Sequence, residues 1–209
     1  MTSGADLVAL QEVDRKTTRT GRVDQATELG ILTRMHVRFG AAMAFQGGDY
    51  GQAILSRWPI LMLRTHFLPN PAQRESRIAV SAVIQTGSGH VVRFVSAHLD
   101  ANTEDDNRWL QAIRLQETFG MDDSLPVILA GDLNDVTESR SLNRLTQHWT
   151  DASAGNPIPT VPSGTPQSRI DYVLLRPKNW EVRGSTVLDE AVASDHRPLL
   201  VTLALPPAK

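Results

Sequence analysis

The sequence contains no cysteine in 209 residues. Disulfide frameworks, thiolate zinc sites and thiol nucleophiles are therefore excluded, and a metal would have to be held by oxygen or imidazole. Aromatic residues are scarce at 5%, too few for the stacking groove that binds single-stranded nucleic acid. Excess charge of either sign is also lacking. The 21 Lys and Arg stand against 23 Asp and Glu, a net charge of -2, which excludes a polybasic coat for nucleic acid and an acidic disordered tail. No apolar run is long enough to cross a bilayer. The opening Met-Thr-Ser-Gly-Ala-Asp lacks the charged start and apolar centre of a signal peptide. A cytoplasmic location is the expectation.

What is present is a chain of ordinary apolar content, 41%, long enough to bury a core unaided. Short apolar runs recur at residues 7–13, 37–45, 53–55, 60–67, 78–84, 91–99, 127–130, 170–175 and 199–205. Most are rich in Val, Ile and Ala and read as strands, several of them buried on both faces. Two stretches keep a helical period. Residues 24–35 place Ala26, Leu29, Leu32 and Met35 near one face. Residues 103–119 do the same with Trp109, Ile113 and Phe119, with Asp105 or Thr103 as N-cap. A shorter helix is expected over 138–146. Loops are expected at 15–23, 46–50, 69–76, 86–89, 155–167 and 189–198, the fifth carrying four prolines. No repeat or linker divides the chain. A single domain over residues 1–209 follows, an α/β arrangement of packed sheets with helices outside them.

Polar residues collect at strand ends. Glu12 lies near the end of the run 7–13, and His98 lies near the end of the run 91–99, within Phe94-Val95-Ser96-Ala97-His98-Leu99-Asp100. Asp132 and Asn134 follow Val127–Gly131, Asp171 sits in the run 170–175, and Asp195-His196 precede the last run. Taken singly, each has an ordinary explanation as an exposed acid, a turn residue or a core histidine. Asp171 is the exception, because a carboxylate inside an apolar strand must be paired. If the strand continues past Asp132, the i, i+2 spacing aims Asp132 and Asn134 at one spot. His36, His66, His90 and His148 have no acidic strand-end setting and read as structural or surface residues. The strand-end set suits phosphate-ester hydrolysis: carboxylates for Mg²⁺, an acid to orient water, and an Asp–His pair for the phosphoryl oxygens.

Six blocks carry a family resemblance. They are Leu10-Gln11-Glu12-Val13-Asp14, Tyr50-Gly51-Gln52-Ala53-Ile54-Leu55-Ser56-Arg57, Ser96-Ala97-His98-Leu99-Asp100, Gly131-Asp132-Leu133-Asn134, Arg169-Ile170-Asp171-Tyr172 and Ser194-Asp195-His196-Arg197-Pro198. In this order the chain resembles the endonuclease/exonuclease/phosphatase superfamily. The resemblance implies a four-layer α/β sandwich, two packed mixed β-sheets flanked by helices, as in deoxyribonuclease I. It implies Mg²⁺ as cofactor, with Mn²⁺ an alternative, held by Glu12 with Asp195 near or on the metal. Asp132 would orient or deprotonate the attacking water, and Asn134 would bind that water or a phosphoryl oxygen. His196, held by Asp171, would contact the phosphate. His98 would hold a phosphate oxygen or assist the leaving group.

The family opens with a strand and helix before its Leu-Gln-Glu strand, so the resemblance implies a chain truncated at its N-terminus. An extended chain would be expected to gain stability and activity.

The expected partner is a phosphate-ester substrate, small, lipid-derived or nucleic acid. The leading expectation is a metal-dependent phosphoesterase acting through an activated water. The alternatives are a nuclease of the same fold, using the basic loop 15–22 to track a backbone, and a binding protein compromised by the lost strand. Net charge and aromatic content favour the first.

Overall fold

A computed structural model describes residues 3–71, 74–102, 106–121 and 124–205. Eleven strands and three α-helices run in the order β1 (Leu7–Arg15), α1 (Gln25–Thr33), β2 (His36–Phe45), β3 (Gly48–Ser56), β4 (Ile60–Phe67), β5 (Ile78–Gln85), β6 (Val91–His98), α2 (Asp106–Phe119), β7 (Val127–Asp132), α3 (Arg140–Thr146), β8 (Thr150–Asp151), β9 (Asp171–Arg176), β10 (Glu181–Val187) and β11 (Leu199–Ala204) among the described residues. One sheet has six strands in the order β4-β5-β6-β7-β9-β8, with β6 and β7 parallel and its other pairs antiparallel. Facing it are the antiparallel sheet β1-β3-β2 and the antiparallel pair β10-β11.

Three apolar clusters separate four layers. Ala26 of α1 meets Val13, Ala53 and Leu55 of the three-stranded sheet. Ile54, Ile78, Val80, Phe94, Ile128 and Trp180 fill the space between the sheets. On the far side of the six-stranded sheet, Leu115 and Phe119 of α2 and Leu142 and Leu145 of α3 pack on Val95, Leu129 and Leu174. Both faces of β5 are therefore covered, which is why it reads as a near-continuous apolar run broken only by Ser81 before its final Gln85. The expected layering holds. The sheets are of unequal kind: one is mixed, and the other lies in two antiparallel pieces.

Local differences from the sequence reading have physical causes. In α1 the N-cap is Asp24, whose side chain accepts from the Thr27 amide. Ala26 and Gly30 are its buried positions, while Leu32 is exposed. Leu32 lies six residues beyond Ala26, about 240° round the helix, and cannot share its face. In α2 the buried face is Arg108, Gln111, Ala112, Leu115, Gln116 and Phe119. Three of these are polar, so hydrophobic periodicity pointed instead to Trp109 and Ile113, which lie half-buried. The expected N-cap, Asp105 or Thr103, lies outside the described residues. The third helix begins at Arg140, capped by Ser139, whose Oγ accepts from Leu142. The loop expected at 46–50 is a two-residue turn, with Phe45 paired to Gly48 and positive φ at Gln46 and Gly47. β8 and β10 lie outside the apolar runs read as strands, β10 because it alternates charged and small residues on an exposed face.

Gly131 marks the closest approach beside the strand ends. Its φ is 153°, and a Cβ there would lie 1.9 Å from the Ala97 carbonyl oxygen on the neighbouring strand. Gly131→Ala is expected to cost about 3 kcal/mol through strain and overpacking. A denaturant midpoint shifted down at unchanged slope is the check.

Candidate active site

Strand register assembles the centre. The parallel pairing of β6 with β7 sets His98 opposite Asp132, and the antiparallel pairing of β7 with β9 sets Asp132 opposite Asp171. Three separate sequence blocks thus end in one row across three adjacent strands. His196 reaches this row from the loop before β11. Its Nδ1 lies 2.8 Å from Asp171 Oδ2, the expected pairing. Asp171 opens β9 rather than interrupting it, and it also accepts from the Thr160 hydroxyl at 2.5 Å.

Glu12 enters from the opposing sheet. Glu12 does not end its strand: a register shift between Leu10 and Val13 bulges β1 midway, pairing with β3 resumes from Val13 to Arg15, and Glu12 takes φ of 56°. The bulge turns its side chain outward, 65% exposed, with Oε1 3.9 Å from His98 Nε2. Asp195 is exposed in the loop before β11, and its carbonyl accepts from the Ser163 amide. Glu12, Asp132, Asp171, Asp195 and His196 line one cleft of about 1430 Å³.

Asn134 does not follow the alternation argument. β7 ends at Asp132, and Asn134 takes a left-handed φ of 49°. It is joined to Asp132 instead by its backbone amide, which donates to Asp132 Oδ1 at 2.7 Å. Its side-chain amide donates to the Leu99 carbonyl.

Charge is distributed unevenly. Burial, and then the nearby Asp171 carboxylate, push the Asp132 carboxyl up to about 7. The hydrogen bond to Asp171 raises His196 to about 9, so the ring is cationic at neutral pH. His98 is the reverse case: burial and the adjacent Arg77 guanidinium drive it down to about 3, leaving it uncharged. After EDTA treatment, the ring proton signals of His196 should titrate near 9 by NMR, and those of His98 should not move between pH 5 and 9.

Arg77 is the main residue the sequence reading missed. It is buried just ahead of β5, with Nη1 2.8 Å from His98 Nδ1 and 2.8 Å from Glu75 Oε1, and its buried Nε has no hydrogen-bond partner. An arginine at the edge of an expected loop carries no signal in sequence. Thr160, fully buried in the proline-bearing loop, was equally silent. That loop braces the His196 loop: the Arg197 amide donates to the Thr160 carbonyl, and Arg197 Nε donates to the Ser163 carbonyl. Gln111 of α2 ties down the site's flank by accepting from the Asp100 amide and donating to the Pro69 carbonyl.

The arginines of the basic loop are committed internally, while Lys16 is exposed. Arg15 pairs with Asp49, Arg19 pairs with Asp14 and covers Phe45, and Arg22 donates to the Gly47 carbonyl. Of the histidines set aside, His66 lies 2.9 Å from Ser81 Oγ and packs edge-on to Phe119, a structural role.

A cation suits the donor set. Glu12, Asp132, Asp171 and Asp195 are among the carboxylates that line the cleft, and burial together with the neighbouring Asp171 charge raises the Asp132 pKa. Among the described residues no three His, Asp or Glu side chains close into a ready-made metal cage. An ion bound by one or two carboxylates and otherwise by water, the habit of Mg²⁺, is what such an arrangement can hold.

Comparison with known proteins bears on the family and the fold. A family model described as "Endonuclease/Exonuclease/phosphatase family" matches residues 2–196. The protein YbhP of Escherichia coli K12 is 25% identical over 175 residues, covering 80% of this chain and 68% of YbhP. An endonuclease/exonuclease/phosphatase structure from Beutenbergia cavernae superposes with a TM-score of 0.79 at 23% identity, covering 96% of this chain and 62% of that one. A mannosyl-6-phosphatase from Bacteroides thetaiotaomicron superposes with a TM-score of 0.79 at 19% identity, covering 96% and 85%. Among the described residues no helix is long and apolar enough to cross a membrane.

Proposed function

Because the chain belongs to the endonuclease/exonuclease/phosphatase family, we propose that it is a divalent-metal-dependent phosphoesterase that cleaves a phosphate ester with an activated water. The observation that carries this reading is the row His98–Asp132–Asp171 capped by the Asp171–His196 pair at 2.8 Å. Glu12 and Asp195 would hold Mg²⁺ or Mn²⁺, which when bound polarises the phosphoryl oxygens. Asp132, with a pKa near neutrality, takes a proton from the attacking water. Asn134, hydrogen-bonded to Asp132, helps fix that water. The water oxygen bonds to phosphorus, the ester P–O bond breaks, and the departing oxygen takes up a proton. His196 and Arg77 place positive charge where the phosphoryl oxygens gain negative charge. His98, uncharged, is a hydrogen-bond partner for the phosphate or leaving group rather than a cation.

A small or lipid-derived ester is the favoured substrate. Arg15, Arg19 and Arg22, the arginines a nuclease would need along a backbone, are spent on Asp49, Asp14 and a carbonyl. The test is hydrolysis of a panel of phosphate mono- and diesters, sphingomyelin and plasmid DNA, with Mg²⁺, Mn²⁺ or EDTA. Turnover of a small ester or sphingomyelin that EDTA abolishes is the expected result. Cleavage of plasmid alone would replace it with the nuclease reading. No turnover with either metal would leave a binding protein.

A further inference from the structure

One flank of the active-site row is held by an arginine. β5 pairs antiparallel with β6, Ala79 standing opposite Ala97. That register brings the residue just ahead of β5, Arg77, alongside His98 at the end of β6. The backbone there is pinned from two sides. The Leu68 amide donates to the Arg77 carbonyl, and the Gln52 side-chain amide donates to the Ile78 carbonyl. Both side chains are buried, Arg77 6% exposed and His98 5%.

Glu75 anchors the guanidinium, its Oε1 accepting from Arg77 Nη1 at 2.8 Å. The same Nη1 lies 2.8 Å from His98 Nδ1 and 3.1 Å from Nε2. A guanidinium can only donate, so a ring nitrogen that accepts from it carries no hydrogen. The nearer nitrogen, Nδ1, is therefore the bare one. Nε2 has the opposite company. Asp132 Oδ2 lies 3.6 Å from it and Glu12 Oε1 3.9 Å, both carboxylate oxygens. A donor beside Nδ1 and acceptors beside Nε2 select one of the two neutral tautomers, the form with hydrogen on Nε2. Both carboxylate distances exceed a hydrogen bond, so that N–H is left to reach another oxygen.

We propose that Arg77, anchored by Glu75, is a positioning residue that fixes His98 as its Nε2–H tautomer, so that the ring donates a hydrogen bond to an oxygen of the bound phosphate ester and does not protonate the leaving group. The second half rests on the phosphoesterase reading. A neutral imidazole has a single N–H, and surrendering it would leave an imidazolate. The departing oxygen then takes its proton from water, and Asp132 returns the proton of the attacking water to solvent.

The test begins with long-range proton–nitrogen NMR on the native protein, labelled with ¹⁵N-histidine, at neutral pH with Mg²⁺ present. His98 should show a bare Nδ1 and a protonated Nε2. A hydrogen on Nδ1, alone or with one on Nε2, would overturn the proposal. Arg77→Met should populate the Nδ1–H form and lower kcat by about 10- to 100-fold with little change in KM. Arg77→Lys, again a donor only, should restore the Nε2–H form and part of kcat. An Arg77→Met protein that keeps the Nε2–H form alone would remove the positioning role. Should Arg77→Met not fold, the native spectrum and Arg77→Lys still decide. His98→Ala should lower kcat/KM by the same factor on an aryl and an alkyl phosphate ester. A loss about tenfold or more greater on the alkyl ester, whose leaving oxygen needs the proton more, would make His98 the general acid and overturn the second half. The tautomer is read without turnover. The expected tautomer in a protein that hydrolyses no ester of the panel would count against the hydrolase reading and leave the assignment of the ring standing.

Discussion

Replacing His196 by Ala should lower kcat/KM on the best ester of the panel by about 100- to 1000-fold, the range seen when one preorganised donor to a developing oxyanion is removed. Three observations set this expectation. His196 stands in the same cleft as Asp132, its ring is held at 2.8 Å by Asp171, and its pKa of about 9 keeps it charged at neutral pH. Asp171→Asn should also lower the rate, by about 10- to 100-fold. The amide keeps the shape but loses the charge that raises the ring's pKa, so the His196 resonance should titrate closer to the ordinary range near 6.5. The loss of rate in Asp171→Asn should therefore grow as pH rises from 6 to 8, because a ring with a lowered pKa is discharged over that span. Metal affinity should change little in either variant. A His196→Ala protein that folds normally and retains a tenth or more of its activity would remove the residue from the mechanism.

Glu12→Gln should be the more damaging change where metal is limiting. The carboxylate is exposed at the mouth of the cleft, and no salt bridge to an Arg or Lys is seen for it among the described residues. A structural role is therefore slight, and thermal stability should stay within about 0.5 kcal/mol. Activity should fall by about 100-fold or more, and raising Mg²⁺ or Mn²⁺ to millimolar concentration should recover part of it. Isothermal titration of the apo protein with Mn²⁺ provides the check independent of turnover. Unchanged Mn²⁺ affinity in Glu12→Gln, or full activity of the native chain in EDTA, would remove Glu12 from the metal site.

Much of the site was legible because strands punctuate apolar sequence so plainly. His98 and Asp132 stand at strand ends, Glu12 at a bulge within β1 and Asp195-His196 in the loop before β11, places where polar residues in an otherwise buried fold are conspicuous. Asp171 was singled out by the cost of leaving a carboxylate unpaired inside an apolar run; the structure moves it to the start of β9 and supplies its partner. Arg77 and Thr160 were not legible. Each lies in a stretch without periodicity, and each matters only through a neighbour distant in sequence, His98 for one and Asp171 for the other. The buried polar face of α2 escaped for a related reason. Gln111 and Gln116 look solvent-facing until their partners are known, and those partners, Asp100, Pro69 and Trp149, come from other elements.

By itself, then, the sequence determined the strand-rich α/β class, the exclusion of thiol chemistry, and the identity of the acids and histidines at the strand ends. These follow from local properties: the period of apolar residues, the turn residues between them, and the absence of cysteine. Register was decided only by tertiary structure. That β6 pairs parallel with β7 and β7 antiparallel with β9 is what sets His98, Asp132 and Asp171 in one row, and a slip of one residue would turn each side chain to the opposite face. Charge state was decided there too. His98 and His196 are the same residue type with the same intrinsic pKa, yet one is driven to about 3 by burial beside Arg77 and the other raised to about 9 by Asp171. The free energy of a charge depends on what lies within a few ångströms of it, and those neighbours come from parts of the chain that only folding brings together.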